Sequence, residues 1–216
     1  MVVSFCKLSK THTKCKRLSD NKTFNLPRRF SKKKCIMGKV KGFTMRSSCA
    51  PYLDCKKNTD KKNVVKAEAI IKSHNNKVNG VVSFQKYVDK VKVSYNIKGM
   101  SDGLHGFHIH EKGDLRNKCK NAGPHFNPNK KKHSYKKTKD RHVGDLGNIK
   151  SKNKLSKGYF YDNMLSLNKK HKHSIIGRTV IVHEKRDDLG KGGNEESLKT
   201  GNAGPRIGCG IIRLIN

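Results

Sequence analysis

The chain has 216 residues, the length of one domain or of one domain with an extension. Its 50 Lys and Arg against 16 Asp and Glu leave a formal charge of +34, hydrophobic residues make up only 33%, and Trp is absent. A large all-round core is excluded, as is a membrane helix, which needs about 18 uninterrupted apolar residues. The charge points to an anionic partner, whether nucleic acid, acidic polysaccharide or a small anion, and no membrane partner is expected.

Residues 1–60 carry 16 basic and three acidic side chains, and five of the seven Cys, with no CxxC or CxC among them. That spacing argues against a zinc knuckle or a copper-ferrying motif. The opening apolar run is too short for a secretory signal, whereas a basic, Ser-containing, acid-poor leader fits an organelle transit peptide. A disordered basic tail fits equally well. The sequence therefore divides into an extension, 1–60, and a folded domain, 61–216.

From residue 63 onward the text reads as strands. Val91, Val93, Tyr95 and Ile97 alternate with Lys92, Ser94, Asn96 and Lys98, the period of a half-buried strand. Residues 64–72, 80–86, 104–110, 175–183 and 207–215 are also rich in β-branched or alternating apolar residues. Asn79-Gly80, Ser101-Asp102-Gly103 and Asp188-Leu189-Gly190 read as turns. No stretch longer than ten residues has a helical period, so an antiparallel sandwich or barrel is expected. Two connections, 111–141 and 184–206, are long enough to carry function.

The chemistry lies in the eleven histidines. His108 and His110 end a predicted strand and project from the same face, since residues i and i+2 do so. With His125 and His183 they form a nitrogen-rich set suited to redox-active copper. His125, His133, His142 and Asp145 offer three nitrogens and a carboxylate, a set suited to structural zinc. His125 stands in both, and an imidazole has a nitrogen for each metal. His171-Lys172-His173 repeats the HxH spelling, but reads as an exposed loop.

Several long motifs resemble copper/zinc superoxide dismutase. They are Gly103-Leu104-His105-Gly106-Phe107-His108-Ile109-His110-Glu111, Ala122-Gly123-Pro124-His125-Phe126-Asn127-Pro128, and Arg141-His142-Val143-Gly144-Asp145-Leu146-Gly147-Asn148. Ile176-Gly177-Arg178-Thr179-Val180-Ile181-Val182-His183-Glu184-Lys185 and Thr200-Gly201-Asn202-Ala203-Gly204-Pro205-Arg206 extend the likeness to about residues 64–215.

The resemblance implies an all-β, eight-stranded antiparallel Greek-key barrel, a flattened sandwich with two long functional loops. It implies dismutation of superoxide to dioxygen and hydrogen peroxide, an antioxidant activity, through alternating reduction and reoxidation of copper. By resemblance, copper is held by His108, His110, His125 and His183, and zinc by His125, His133, His142 and Asp145, one of each per subunit. Asp187 would hydrogen-bond a ligand on each side, and His105 would be structural. Arg206 and the bridging His125 would act in catalysis, with Thr200, Glu195, Glu196 and Lys199 shaping the substrate channel. Cys119 and Cys209 match the family disulfide. A homodimer and delivery of copper by a chaperone are implied as well, although Arg213 replaces a small residue at the family's dimer contact. The protein is expected in the cytoplasm, or in a plastid or other organelle if residues 1–60 are a transit peptide. Non-specific polyanion binding by the basic extension and the lysine-rich loop could coexist with the activity.

Overall fold

The computed structural model describes residues 65–87 and 89–215, and the strands β1 (Cys6–Leu8), β2 (Lys14–Arg17) and β3 (Thr23–Asn25). The chain divides into two units, Met1–Val64 and Val65–Asn216. In the first, β1, β2 and β3 pair as an antiparallel sheet in that order. The reading of residues 1–60 as a leader or tail falls otherwise outside the described residues. Among these, no helix is long and apolar enough to cross a membrane.

The second unit is built from β4 (Lys66–Lys72), β5 (Asn79–Tyr87), β6 (Lys90–Lys98), β7 (Gly103–His110), β8 (Asp145–Ser151), β9 (Leu155–Asp162), β10 (Thr179–His183), β11 (Arg206–Ile211) and β12 (Arg213–Ile215). Its hydrogen-bonded path runs β8-β7-β10-β11-β4-β5-β6-β9, with short β12 on β4. The neighbours β7–β10, β11–β4 and β6–β9 are far apart in sequence, so the connections cross over as a Greek key requires. The two ends of the path, β8 and β9, are joined by a two-residue turn in which Lys152 and Leu155 exchange backbone hydrogen bonds of 3.0 Å. Asn153 and Lys154 both have positive φ there, as a hairpin of matching twist demands. The sheet is thereby nearly closed into the expected eight-strand barrel.

Alternation decides what fills it. Ala67, Ala69 and Ile71 on β4, Val82 and Phe84 on β5, and Val91, Val93 and Ile97 on β6 point inward. Phe107 and Ile109 on β7 face Val182 and Val180 on β10 in the same core. The opposite faces of β7 and β10 are buried too. His108 pairs with Ile181 and His110 with Thr179, and all four lie under the long loops. Ile181 packs there against Cys119, Ala122 and Cys209 in a second, smaller apolar cluster.

The structure corrects three local expectations. Asn79-Gly80 begins β5 rather than forming a turn, because a Cβ on Gly80 would stand 2.2 Å from Asn96 O on the neighbouring strand. Residues 175–178 turn before β10 starts at Thr179. The last predicted strand is interrupted at Ile212, which is buried in the core. Two strands, β8 and β9, were not expected from the residues themselves.

Arg141 is fully buried and ties loop to barrel. Its guanidinium donates to Asp162 Oδ2 at 2.5 Å and to the carbonyls of His142, Val143 and Asp145 at 2.9, 3.1 and 3.0 Å. Removing it strands a buried carboxylate and three carbonyls. Arg141→Ala should cost about 3–5 kcal/mol of stability in urea denaturation of the metal-free protein; a loss below about 1 kcal/mol would show that the anchor is dispensable.

Candidate metal centre

The long loops bring the histidines together on the outer face of the β7–β10 pair. Two irregularities in the ladders aim them. The register shifts between Val182 and His183 opposite β11, and between Gly106 and His108 opposite β8, where His108 faces Asp145. His125 is pinned beside β7 by the bridge His110–His125 and by Phe126 N donating to Ile109 O at 2.8 Å. Gly144 lets that loop approach, since a Cβ there would lie 2.1 Å from Ile109 O. His133 is held by its own N–H donating to Leu198 O at 2.8 Å. Leu198 belongs to a short helix, α1 (Glu195–Thr200), capped by Asn194 and closed by Gly201 at φ 68°.

Two sets of four donors result, His108/His110/His125/His183 and His125/His133/His142/Asp145, all buried. In the second set, Asp145 Oδ1 lies 2.9 Å from His125 Nδ1, 2.9 Å from His133 Nδ1 and 3.1 Å from His142 Nδ1. His125 Nδ1 and His142 Nδ1 are 3.5 Å apart. Four ligands at about 2.0–2.1 Å from one ion in tetrahedral geometry sit about 3.3 Å from each other. The set therefore fits a tetrahedral dication. In the first set His110 Nε2 and His183 Nε2 approach to 3.4 Å.

Three of the four imidazoles of the first set are fixed through their other nitrogen. His110 Nδ1 is 2.8 Å from Gly123 O, His183 Nδ1 is 2.9 Å from Gly204 O, and His108 Nε2 is 2.9 Å from Asp187 Oδ2. These acceptors select the tautomer that turns a bare nitrogen inward. His108 Nδ1 and His125 Nε2 are buried without a hydrogen-bond partner, as is His133 Nδ1 in the other set despite its closeness to Asp145. Buried unpartnered nitrogens are costly in a folded protein unless something binds them. A metal satisfies this demand.

Electrostatics favours the same reading. Burial above all, and then the neighbouring imidazoles, push His125 down to about 3 and hold His110 and His183 well below the usual histidine range. All three stay neutral at pH 7, the form that ligates. His133 differs. Burial would lower it, but hydrogen bonds and the charges of Asp145 and Asp187 outweigh burial and push it up to about 9. Asp145 and Asp187 stay ionised for the converse reason: burial opposes the charge, and their histidine partners more than offset it.

Asp187 spans the two sets. Its Oδ1 lies 2.8 Å from His133 Nε2 while Oδ2 holds His108. Asn148, whose role the sequence did not reveal, clamps its backbone by accepting from Asp187 N and donating to Asp187 O, both at 2.8 Å. Gly201 leaves it room, since a Cβ there would stand 2.0 Å from Asp187 Oδ1. His105 lies between His183 O and Ser101 O at 2.9 Å each, a structural place as expected. His171 and His173 stand apart from both sets, with His173 against Met164 O and Asn129.

A cavity of about 950 Å³ opens above His125 and His142, lined by Lys131, Lys132, Arg178, Glu195, Lys199 and Thr200 among others. Glu196 does not line it and instead accepts from Thr200 Oγ1 at 2.6 Å. Arg206 does not line the cavity either and lies instead on a separate concavity of about 400 Å³. Its guanidinium donates to Cys119 O, Lys120 O and Gly123 O at 2.5, 3.0 and 2.7 Å. Gly123 O is also the acceptor for His110, so one carbonyl places the cation beside the first donor set. The Cys119–Cys209 disulfide, with Cα atoms 6.3 Å apart, holds that segment to β11.

The family model for copper/zinc superoxide dismutase matches residues 78–212. Over 136 residues the chain is 56% identical to superoxide dismutase [Cu-Zn] A of Xenopus laevis, covering 62% of this chain and 89% of that one. Over 157 residues it is 49% identical to superoxide dismutase [Cu-Zn] of Saccharomyces cerevisiae, covering 71% of this chain and 100% of that one. The crystal structure of the clock protein EA4 superposes with a TM-score of 0.66 at 42% identity, over 70% of this chain and 96% of the other. Donor geometry, fold and sequence agree, and the chain belongs to the copper/zinc superoxide dismutase family, oxidoreductases that convert superoxide to dioxygen and hydrogen peroxide.

Proposed function

We propose that this chain carries out its family's reaction with copper held by His108, His110, His125 and His183 and zinc held by His125, His133, His142 and Asp145, one of each per subunit. The observation that carries the assignment is His125, whose Nδ1 belongs to one donor set while its buried Nε2 has no partner and faces the other. When bound, copper supplies one-electron redox chemistry, and zinc supplies a fixed positive charge that redox cycling does not alter.

The residues do the rest. With Nδ1 held among Asp145, His133 and His142, the His125 ring would stay in place, and its Nε2 could hold a proton for delivery to the reduced product, the second proton coming from solvent. Asp187 keeps His108 and His133 in fixed tautomers during this exchange. Arg206 is half-buried, remains charged, and is held rigid by three carbonyls, so it presents a fixed cation to an arriving anion. Lys199 and Thr200 at the cavity mouth narrow the approach, and Glu195 pairs with Lys199 at 2.6 Å.

The proposed homodimer uses the patch of family interface positions matched by Gly113, Ile176 and Gly177. A Cβ on Gly113 would stand 2.1 Å from Gly177 O, so the two segments lie flush. Arg213, exposed on β12, adds a long cation near that patch and should weaken self-association. Copper delivery by a chaperone, and residence in the cytoplasm or in an organelle, are proposed from the family likeness and from the basic composition of residues 1–60.

Three outcomes test the reading. Arg206→Glu should slow superoxide removal by at least about 10-fold with both metals still bound; loss of copper instead would make Arg206 structural. His125→Ala should disturb both sites, seen as reduced copper and zinc by mass spectrometry, and an undisturbed zinc content would refute the bridge. Zinc uptake by the metal-free chain should release about one proton between pH 7 and 8, because His133 is protonated there until the metal displaces its proton. Zinc affinity should accordingly rise with pH up to about 9. Titration calorimetry in buffers of different ionisation enthalpy reads this directly.

A further inference from the structure

Three tyrosines stand out on the outer face of β5 and β9. Tyr159, Tyr161 and Tyr87 are 63%, 46% and 49% exposed, and among the described residues they are the exposed aromatic side chains. They also touch. Tyr159 and Tyr161 have ring centroids 6.0 Å apart, and Tyr161 and Tyr87 lie 5.5 Å apart. Their places follow from the pleat: residues 159 and 161 point outward from β9, while Ser156 and Asp162 turn in.

Cations are set between the rings by strand register. Tyr161 is opposite Lys92, Tyr87 is opposite Lys90, and Lys92 Nζ sits 4.6 Å from the Tyr159 ring centroid. Next to Tyr159 lies a shallow groove of about 320 Å³, lined by Val81, Ser83, Ser94, Asn96 and Lys157. Two carboxylates lie at the margin of this face, Glu68 accepting from Ser83 at 3.0 Å and exposed Asp89 beside Lys90, against the three cations Lys90, Lys92 and Lys157; Asp162 is buried against Arg141.

We propose that the outer face of β5, β6 and β9 binds single-stranded nucleic acid, with bases stacked on Tyr159 and Tyr161 and phosphates neutralised by Lys90, Lys92 and Lys157. An acidic polysaccharide would call for the cations alone. Exposed rings interleaved with lysines on a sheet supply the other half, a stacking platform that tolerates any base. The groove beside Tyr159 offers hydroxyl and amide groups to base edges and sugar. The face is separate from the donor sets, so binding there need not disturb the dismutase reaction.

The test uses the full metal-loaded chain and fluorescein-labelled oligo(dT) of about 12 nucleotides, read by anisotropy across a salt series. Tyr emission is a second readout, since no Trp masks it. Stacking on two rings predicts that Tyr159→Ser with Tyr161→Ser weakens binding by at least about 30-fold, while the Phe pair restores it. Lys92→Gln with Lys157→Gln should flatten the slope of log K against log salt by about 1.4. Superoxide removal should be unchanged in all three. The proposal is overturned if the Ser pair binds oligo(dT) as well as the parent does. It is equally overturned if phosphatidylserine vesicles bind with the same dependence on the two rings.

Discussion

Burying imidazoles and carboxylates together, outside the barrel rather than within it, is the constraint that organises this structure. A buried imidazole with a free nitrogen is costly, and a buried carboxylate more so. The chain meets that demand by giving His108, His110, His133 and His183 two obligations each. One nitrogen is fixed by a carbonyl or carboxylate, and the other is left to converge with its neighbours. Asp145 and Asp187 then serve as counter-charges at the two levels of the site. Asp145 gathers three imidazoles within 3.1 Å of a single oxygen, and Asp187 links the two sets without belonging to either. Without metal, burial keeps His110, His125 and His183 neutral, while the charges of Asp145 and Asp187 hold His133 protonated.

The anchoring extends outward through backbone carbonyls. Gly123 O accepts from both His110 and Arg206, so the orientation of a proposed copper ligand and the place of the proposed guide cation are set by the same atom. That segment is tethered by the disulfide, whose partners are 90 residues apart. Closing so long a loop stabilises the fold by about 4–5 kcal/mol in the chain-entropy model. Its local effect matters as much. Cys119 O is itself a partner of Arg206, so the covalent link and the guanidinium are adjacent parts of one support.

The fold and the donor sets were readable to different depths. His108 and His110 could be placed on one face because a strand repeats every two residues, and residue type and spacing picked out His125, His133, His142, Asp145 and His183, which the motif likeness then matched. The strands β8 and β9 were hidden for physical reasons. In β8 the buried Leu146 and Ile149 are three apart, with Gly147 at φ 77° between them, which breaks the alternation. In β9 the inward positions include Ser156, Gly158 and Asp162 while the tyrosines face outward, so its hydrophobic pattern is inverted. Gly80 imitates a turn because glycine serves both tight turns and close strand approach, and spelling alone does not distinguish them. The carbonyls of Gly123 and Gly204 carry no side-chain signature at all.

The charge of this chain has more than one meaning. Steering of superoxide into these enzymes is a standard example of electrostatic guidance, yet +34 spread over 216 residues is not a funnel. Screening at physiological salt reduces the reach of an exposed charge to about 8 Å. Several cations on the loop that carries His133 are also occupied locally. Lys131 pairs with Asp140 at 2.9 Å, and Lys136 is folded over the Phe160 ring, 4.0 Å from its centroid, with burial lowering its pKa. On the proposed reading, what an anion meets near the first donor set is set by a few fixed groups, Arg206 foremost, because three carbonyls hold it and it is partly desolvated. The same screening lets a basic, aromatic face elsewhere on the barrel act independently. Two anion-binding surfaces can share one small domain when each is governed by contacts shorter than the screening length.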